Sequence, residues 1–250
     1  MTVTYHKVYS YHLDRDMEYK VYGQKGKPML VFPTSNGRFF QYEDFGMIHA
    51  ISHFIEQGKI QVWTCDGIDR ETFLNNHIHP HDRIRRHDKY DKYINDELIP
   101  SILSVSKNNN KNKDQKLIVT GCSMGAFHSS NIFFRHPENI DVLIALSGVY
   151  STNFFFGDYM DEITYFYSPI HNLSNLNDES YLSKYRNSQI IICVGQGNYE
   201  DRMIEDTRRL QNILAEKSIP AWIDYWGTDV NHDWNWWRLQ ISYFLHFIVS

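Results

Sequence analysis

The sequence lacks the features that mark several large classes of protein. Its 250 residues include only three cysteines, an odd number that does not make a disulfide framework. No apolar run approaches the roughly 20 residues that a membrane-spanning helix needs. Basic residues (25) are fewer than acidic ones (30), and the net charge of −5 leaves no electrostatic footprint for nucleic acid. From these absences we expect that the protein binds neither a membrane nor nucleic acid.

The N-terminal segment, Met1 to Asp14, also lacks the apolar stretch of a signal peptide, and we expect a cytoplasmic protein. What is present is a large apolar fraction. Hydrophobic residues make up 42% of the chain and aromatic residues 15%, enough to bury a full core. The length fits one large α/β domain over residues 1–250. The oligomeric state stays open.

Short apolar strands alternate with helical patterns along most of the chain. Residues 3–11 and 17–22 predict two leading strands, and Met29 to Phe32 is an apolar run typical of a strand buried on both faces. Residues 107–113, almost all Lys and Asn, are interpreted as a solvated loop. Pro100 is expected to kink the long central helix. Further strands are predicted at 61–65, 117–120, 142–146, 190–194 and 221–226, and helices at 46–57, 84–106, 125–136, 202–217 and 234–248.

This order of elements implies a fold class. Strands that alternate with helices form βαβ units and a mostly parallel sheet, and two leading strands without a helix between them suggest an antiparallel start. The layout is that of the α/β-hydrolase fold, with about eight strands and helices on both faces. Residues 150–187 have many aromatics and no clear periodicity, and we interpret them as an excursion from this layout.

One pentapeptide carries the strongest chemical signal. Gly121-Cys122-Ser123-Met124-Gly125 follows an apolar strand and precedes a helix. In such a turn the serine is held clear of bulk, and small flanking residues are needed because the turn is tight. The backbone N–H of Met124, at the start of the helix, can donate to an oxyanion. The pattern predicts that Ser123 is a catalytic nucleophile.

The base and the acid are expected later in the chain, because in this fold the order is serine, acid, histidine. Only His232 and His246 of the 13 histidines lie beyond residue 171. His246 lies within the last predicted helix among apolar neighbours, which favours a packing role. His232 lies in the loop between the last strand and the last helix, and it is the predicted general base.

Two adjacent carboxylates compete for the role of the acid. Glu200 and Asp201 both follow the strand at 190–194, and either could orient the imidazole. The other would then be a carboxylate at a helix N-terminus, which the helix dipole favours. Asp224 and Asp229 are weaker candidates. The residues alone do not separate Glu200 from Asp201.

Three segments together resemble the putative-esterase family of α/β-hydrolases, which includes esterase D (S-formylglutathione hydrolase), feruloyl and acetyl xylan esterases and the mycolyltransferases. Tyr90 to Pro100 resembles the family's helix before the nucleophile strand, Gly121 to Gly125 its nucleophile turn, and His232 to Arg238 its His-Asp-Trp…Trp ending. The resemblance covers nearly the whole chain and weakens over residues 150–187.

The resemblance implies roles at single positions. Ser123 becomes the nucleophile and His232 the base. Relatives of esterase D place the acid three residues after a Gln-Gly pair, and Gln196-Gly197 puts Glu200 there, although most relatives use Asp. Glu200 is therefore favoured, with Asp201 as the alternative.

The resemblance also implies a second oxyanion donor, a backbone N–H just after the third strand. The loop there is Pro33-Thr34-Ser35-Asn36-Gly37, without the usual His-Gly-Gly or Asp-Gly-Leu pattern. Ser35 is the best match for the donor and Thr34 the next. Pro33 has no N–H and cannot serve.

Aromatic residues in the excursion suggest a substrate pocket. Phe154, Phe155 and Tyr159 are its candidate walls, the alternative being ordinary core packing. Trp234, after His232, is interpreted as packing that fixes the histidine loop. The roles of Trp236 and Trp237, between packing and a partner surface, stay open.

A histidine cluster offers a competing metal hypothesis. His77, His79 and His81 alternate, as zinc ligands can, but Pro80 and the arginines that follow favour a loop entering a helix. We expect no metal and no cofactor.

The sequence therefore predicts a serine carboxylesterase that hydrolyses small to medium acyl esters through an acyl-enzyme on Ser123. An acyltransferase with an alcohol or sugar acceptor would use the same residues. A non-catalytic binding module and a metal-dependent hydrolase are weaker alternatives.

Overall fold

The computed structural model describes residues 1–110 and 115–249. Eight strands form one sheet in the order β1-β2-β4-β3-β5-β6-β7-β8. The first two are antiparallel to their neighbours, and β4, β3, β5, β6, β7 and β8 run parallel. The strands are β1 Val3–Ser10, β2 Arg15–Tyr22, β3 Lys27–Phe32, β4 Ile60–Cys65, β5 Leu117–Cys122, β6 Ile140–Leu146, β7 Gln189–Val194 and β8 Trp222–Tyr225.

Helices connect these strands and cover both faces of the sheet. A 3₁₀ turn at Asp69–Glu71 follows β4, and a π-helical segment at Tyr93–Leu98 joins two α-helices. The α-helices are α1 Gln41–Asp44, α2 Met47–Ala50, α3 Ser52–Glu56, α4 Pro80–Lys92, α5 Ile99–Asn109, α6 Met124–Arg135, α7 Asn153–Phe156, α8 Glu162–Phe166, α9 Pro169–Asn175, α10 Glu179–Arg186, α11 Asp201–Glu216 and α12 Trp234–Ile248. No helix of the described residues is long and apolar enough to cross a membrane.

Strand side chains alternate between two apolar cores. In β5, Leu117 and Val119 face the core that α4, α5, α6 and α9 to α11 cover. Ile118 faces the opposite core, which the short helices α1 to α3 share with α12. Because a parallel sheet is buried on both faces, these strands read as continuous apolar runs in the sequence. The α/β-hydrolase fold class predicted from that pattern is confirmed.

Two predicted helices differ from the observed ones. The single helix expected over 46–57 is three short helices that begin earlier, at Gln41, because Gly46 adopts a left-handed φ of 75° and separates α1 from α2. A second break lies at the fully buried Ile51, whose φ of −113° is not helical. Buried contacts, not helical periodicity, determine the path of this segment.

The helix expected over 84–106 is α4, the π-helical segment and α5. Pro100 lies in the first turn of α5, directly after the π-helical segment. Proline lacks an N–H and its ring crowds the carbonyl four residues earlier, and the wider π-helical turn leaves room for that ring. Helix α5 also extends to Asn109, into the loop expected over 107–113, of which residues 111–113 lie outside the described part.

Candidate active site

Ser123 lies in the turn between β5 and α6 with a strained backbone. Its φ is 56° and its ψ −119°, a region that non-glycine residues rarely occupy. Its N–H donates to the carbonyl oxygen of Leu146, at the end of β6, at 2.8 Å. Such strain persists only where neighbouring contacts impose it, and it lifts the serine above the carboxyl edge of the sheet.

The two flanking glycines are required by contact distances. A Cβ atom on Gly121 would lie 2.4 Å from the backbone of Gly125. A Cβ atom on Gly125 would lie 2.4 Å from the carbonyl oxygen of Phe32, in β3. Both distances are shorter than any side chain tolerates, so β3, β5 and α6 meet closely only because these residues are glycine.

Glu200 and His232 form a pair at the same edge of the sheet. Glu200 Oε2 lies 3.4 Å from His232 Nδ1, without hydrogen-bond geometry between the two atoms. The glutamate side chain is fully buried, and the histidine side chain is 15% exposed. The His232 backbone N–H donates to the carbonyl oxygen of Asn198 at 3.0 Å, which ties the histidine loop to the segment that carries Glu200. Catalytic hydrogen bonds are often loose without substrate.

The other candidate acids lie elsewhere. Asp201 is exposed in the first turn of α11. Asp224 accepts a hydrogen bond from the Trp226 indole at 3.0 Å, and Asp229 is exposed. His246 is exposed near the end of α12. The structure thus brings only Glu200 next to His232, while no hydrogen bond within the described residues joins His232 to Ser123.

Two residues of this site have no assigned role in the sequence analysis. The Ser147 hydroxyl donates to Glu200 Oε1 at 2.6 Å, and the Trp237 indole N–H donates to Ser147 Oγ at 3.1 Å. The Trp237 ring also meets the His232 ring edge to face, with centroids 4.9 Å apart. No motif marks Ser147, which follows a buried strand as many serines do. The tryptophan-rich ending pointed to Trp237 and Trp236 alike, and only the burial of Trp237 in the fold distinguishes the two.

In the loop after β3, the backbone N–H groups of Ser35 and Asn36 are free of partners in the described part of the chain, whereas that of Thr34 is engaged. The Thr34 N–H donates to Gln41 Oε1 at 2.9 Å, and the Gln41 amide donates back to Thr34 Oγ1 at 2.8 Å. The N–H of Ser35 has no partner among the described residues. Met124 opens α6, and N–H groups in the first turn of a helix have no acceptor within the helix. Ser35 and Met124 therefore each carry a backbone N–H without a partner in the described residues.

The candidate pocket residues divide between two places. Phe155 and Tyr159 pack against a cluster that contains Met124, directly after Ser123, together with Phe73. Phe154 is 52% exposed, and its ring meets the Phe155 ring in a T-shaped contact with centroids 5.0 Å apart. It instead lines an open surface cleft of about 550 Å³ with Arg202 and Arg209, among others.

The histidine cluster lies at the start of α4. His79 is the N-cap of this helix, and its Nδ1 accepts from the His81 backbone N–H at 3.2 Å. His81 Nδ1 lies 2.9 Å from Asp82 Oδ1, and the His77 backbone N–H donates to Asn75. No group of three or more potential metal ligands was found among the described residues. The geometry is that of a loop entering a helix.

A buried histidine–carboxylate pair joins α6 to the 3₁₀ turn after β4. His128 Nε2, in α6, is 2.8 Å from Asp69 Oδ1 in the 3₁₀ turn after β4. Their side chains are only 3% and 1% exposed. No motif marks this pair in the sequence, because the base of the predicted fold is expected after the acid. Its signal was a histidine five residues after Ser123.

Comparison with known proteins identifies a family. A profile described as putative esterase matches residues 10–248. A search of the curated proteins by similarity found no match.

Solved structures with the same fold include three hydrolases. A ferulic acid esterase superposes with a TM-score of 0.74 at 15% identity, over 99% of this chain and 98% of its own. Fluorophosphonate-binding serine hydrolase F of Staphylococcus aureus gives 0.68 at 14%, over 100% and 98%. An S-formylglutathione hydrolase from Agrobacterium tumefaciens gives 0.73 at 12%, over 98% and 93%. At these identities the likeness establishes the fold.

Proposed function

The chain belongs to the putative esterase family of α/β-hydrolases and is a carboxylic ester hydrolase, and we propose that it hydrolyses small to medium acyl esters through an acyl-enzyme on Ser123. The observation that carries the proposal is the convergence at the end of β6. Leu146 accepts the Ser123 N–H, and the next residue, Ser147, hydrogen-bonds Glu200 beside His232. The end of β6 thereby contacts the proposed nucleophile and the proposed acid, and the acid lies next to the proposed base.

The roles follow from the chemistry of each group. Glu200 orients the imidazole with Nδ1–H towards the carboxylate, and His232 Nε2 takes the proton of the Ser123 hydroxyl as Oγ attacks the ester carbonyl. The N–H groups of Met124 and Ser35 stabilise the oxyanion that forms. The protonated imidazole then gives its proton to the departing alcohol, and water releases the acyl group by the same steps in reverse order.

Two features support the choice of Glu200 and Ser35. Asp201 is exposed on α11, where a carboxylate at a helix N-terminus is favourable without any catalytic role. The Thr34 N–H is engaged by Gln41, which leaves the next N–H of the loop for the oxyanion. The aromatic cluster of Phe73, Phe155 and Tyr159 beside Met124 is a suitable wall for a small acyl group.

The test is the Ser123→Ala variant, assayed on aryl esters of increasing acyl length. We expect kcat/KM to fall by about 10³-fold or more, because attack requires the hydroxyl. A fluorophosphonate probe should label the native protein and not the variant. Ester hydrolysis that persists within a few-fold, or absence of label on Ser123, would contradict the proposal and favour a binding module.

A matched control is available on the same helix. Ser129 is a fully buried serine of α6 whose hydroxyl donates to the carbonyl oxygen of Ala126 at 3.1 Å. Ser129→Ala removes a hydroxyl from α6 without touching the proposed triad. We expect its kcat/KM and its labelling to equal those of the native protein.

An acyltransferase would share every step up to the acyl-enzyme. Water and an alcohol then compete for the same intermediate, so adding an alcohol or sugar acceptor at increasing concentration separates the two activities. We propose hydrolysis, and expect free acid to remain the main product while acceptor is added. A predominant ester product would assign the chain to acyl transfer instead.

A further inference from the structure

A buried chain of two hydrogen bonds leads to the proposed acid. Trp237, on α12, donates its indole N–H to Ser147 Oγ at 3.1 Å, and Ser147 Oγ lies 2.6 Å from Glu200 Oε1. An indole nitrogen can only donate, so Ser147 accepts from it and turns its single hydroxyl hydrogen elsewhere. That hydrogen is directed at the glutamate carboxylate, and the polarity of the chain is therefore determined.

Glu200 depends on this hydroxyl more than an exposed carboxylate would. Its side chain is fully buried, and its second oxygen, Oε2, has no hydrogen bond within the described residues. A buried carboxylate without donors is costly, and a hydroxyl-to-carboxylate bond is among the stronger hydrogen bonds in proteins. The Ser147 hydroxyl is the one hydrogen-bond donor to the Glu200 carboxyl among the described residues.

The backbone holds Ser147 in place from three sides. It follows the last residue of β6, its N–H donates to the Cys193 carbonyl oxygen of β7 at 2.8 Å, and its φ is 54°, in the left-handed region. The preceding residue, Leu146, accepts the N–H of Ser123. One strand end thus carries both the acceptor of the Ser123 N–H and the serine that donates to Glu200.

The Trp237 ring adds a second constraint on the same pair. It meets the His232 ring at an interplanar angle of 86°, with centroids 4.9 Å apart, and it is 4% exposed. One side chain thus packs on the imidazole and donates to the serine that holds the carboxylate. Trp237 on α12 therefore contacts His232 directly and Glu200 through Ser147.

We propose that Ser147 is a positioning residue of this enzyme, whose hydroxyl keeps the Glu200 carboxylate charged and directed at His232 Nδ1. The inference rests on the proposed function, in which Glu200 is the acid and His232 the base. Ser147 acts through Glu200 and has no contact with the reacting atoms. Its loss should therefore change turnover and its pH dependence while leaving substrate binding unaltered.

The direction in which the pH profile of the rate should move follows from the proposed mechanism, which needs a carboxylate next to a neutral imidazole. Without the Ser147 hydroxyl the carboxylate is less stabilised and competes for a proton, so the acidic limb of the rate profile moves to higher pH. Within residues 1–110 and 115–249, the Cys193 thiol and the Tyr150 phenol are the other ionisable groups that interact electrostatically with Glu200. Burial raises the pKa of both well above their ordinary values, and they stay neutral over this range.

The experiment compares Ser147→Ala with Ser147→Gly. Both variants remove the hydroxyl. Glycine adopts a φ of 54° without strain, so Ser147→Gly adds no backbone strain. For both we expect kcat on an aryl ester to fall about 10- to 100-fold, KM to stay within about two-fold, and the acidic limb to move upwards. The glycine variant also covers the case in which the alanine variant fails to fold.

Ser10 supplies a chemically matched control. It is fully buried, accepts from the Leu13 N–H at 3.2 Å and donates to Glu97 Oε1 at 3.1 Å, the same kind of chain at the far end of the sheet. Ser10→Ala should leave kcat and the pH profile unchanged.

The outcomes separate the two proposals. If Ser147→Gly restores the activity that Ser147→Ala loses, or if the acidic limb stays in place, Ser147 is a structural residue and the inference is wrong. If Ser123→Ala is inactive while both Ser147 variants match the native enzyme, the proposed function stands and only the positioning role fails. If Ser123→Ala remains active, the proposed function itself fails.

Discussion

Two of the histidine–carboxylate pairs in the described residues, Asp69 with His128 and Glu200 with His232, differ in distance, in burial and in the ring nitrogen that faces the carboxylate. Asp69 and His128 lie 2.8 Å apart and are almost wholly buried. Glu200 and His232 lie 3.4 Å apart, and the imidazole reaches solvent. The shorter and more buried contact belongs to the pair that we assign no chemistry.

The nitrogen that faces the carboxylate explains this assignment. His128 directs Nε2 at Asp69, and its Nδ1 is buried without a partner among the described residues. His232 directs Nδ1 at Glu200 and leaves Nε2 for another group. A general base needs one nitrogen for its orienting acid and the other for the nucleophile. Proximity to an acid therefore does not make a histidine catalytic.

The two pairs also have different neighbours. His87 stacks on His128 with ring centroids 5.3 Å apart, and burial holds the pKa of His87 well below its ordinary value of 6.5. Asp69 and His128 thus belong to an apolar and aromatic interior that connects α4 with α6. Glu200 and His232 are supported by Ser147 and Trp237 at the open edge of the sheet.

Exchange of the carboxylates for amides should separate the two pairs most strongly. Glu200→Gln is expected to lower kcat by about 10²- to 10⁴-fold, because the amide can donate to Nδ1 and leave the proton on Nε2, where it blocks the base. Asp69→Asn is expected to lower the free energy of unfolding by about 1–3 kcal/mol, since one partner of a buried hydrogen bond is replaced. Steady-state kinetics and urea unfolding of both variants measure the contrast.

A reversed result would contradict the comparison. If Asp69→Asn lost turnover per folded molecule as strongly as Glu200→Gln, the buried pair would contribute to the chemistry. Active-site titration of the folded fraction is the control, since it separates a loss of folded enzyme from a loss of turnover.

The pH dependence of the free energy of unfolding should test the buried surroundings of the pair through His87, which stacks on His128. His87 is neutral in the folded protein and regains a pKa near 6.5 on unfolding, so the unfolded chain binds the extra proton as the pH falls. Stability from this group is present above that value and decreases below it, by at most about 1.4 kcal/mol per pH unit. His87→Phe should flatten the decrease between about pH 6.5 and pH 5. An unchanged slope in urea unfolding would show that His87 does not titrate on unfolding.

The smallest effect is expected at the carboxylate next to the proposed acid. Asp201→Asn removes an exposed charge from the first turn of α11 and should lower the free energy of unfolding by only a few tenths of a kcal/mol. We expect kcat/KM within about two-fold of native. A loss comparable to that of Glu200→Gln would assign the acid to Asp201.

Most of the fold was predictable because its strands and helices correspond to local patterns of apolar residues. The parallel strands are buried on both faces and read as short apolar runs, and α12 was predicted with its observed bounds. The segment around Gly46 was not, since its breaks arise where tertiary contacts override helical periodicity. The π-helical turn before Pro100 follows from proline chemistry, but its position at Tyr93–Leu98 does not.

The candidate site was predictable in part. Ser123 and His232 were nominated by a turn motif and by position in the chain, whereas Ser147 carries no signal beyond following a strand. Its importance arises from residues 53 and 90 positions away, Glu200 and Trp237. Contacts over such separations have no local pattern from which to predict them.

The sequence by itself determined the turn at Ser123, because two glycines, an apolar strand and a helix start are all local features that only one geometry satisfies. Only the tertiary structure distinguishes Glu200, the proposed acid, from Asp201. The two are adjacent in sequence and chemically alike, but α11 begins between them, which leaves Asp201 in solvent and Glu200 buried against β6 and α12. Burial beside His232 is a property of the folded surroundings, and no residue carries it alone.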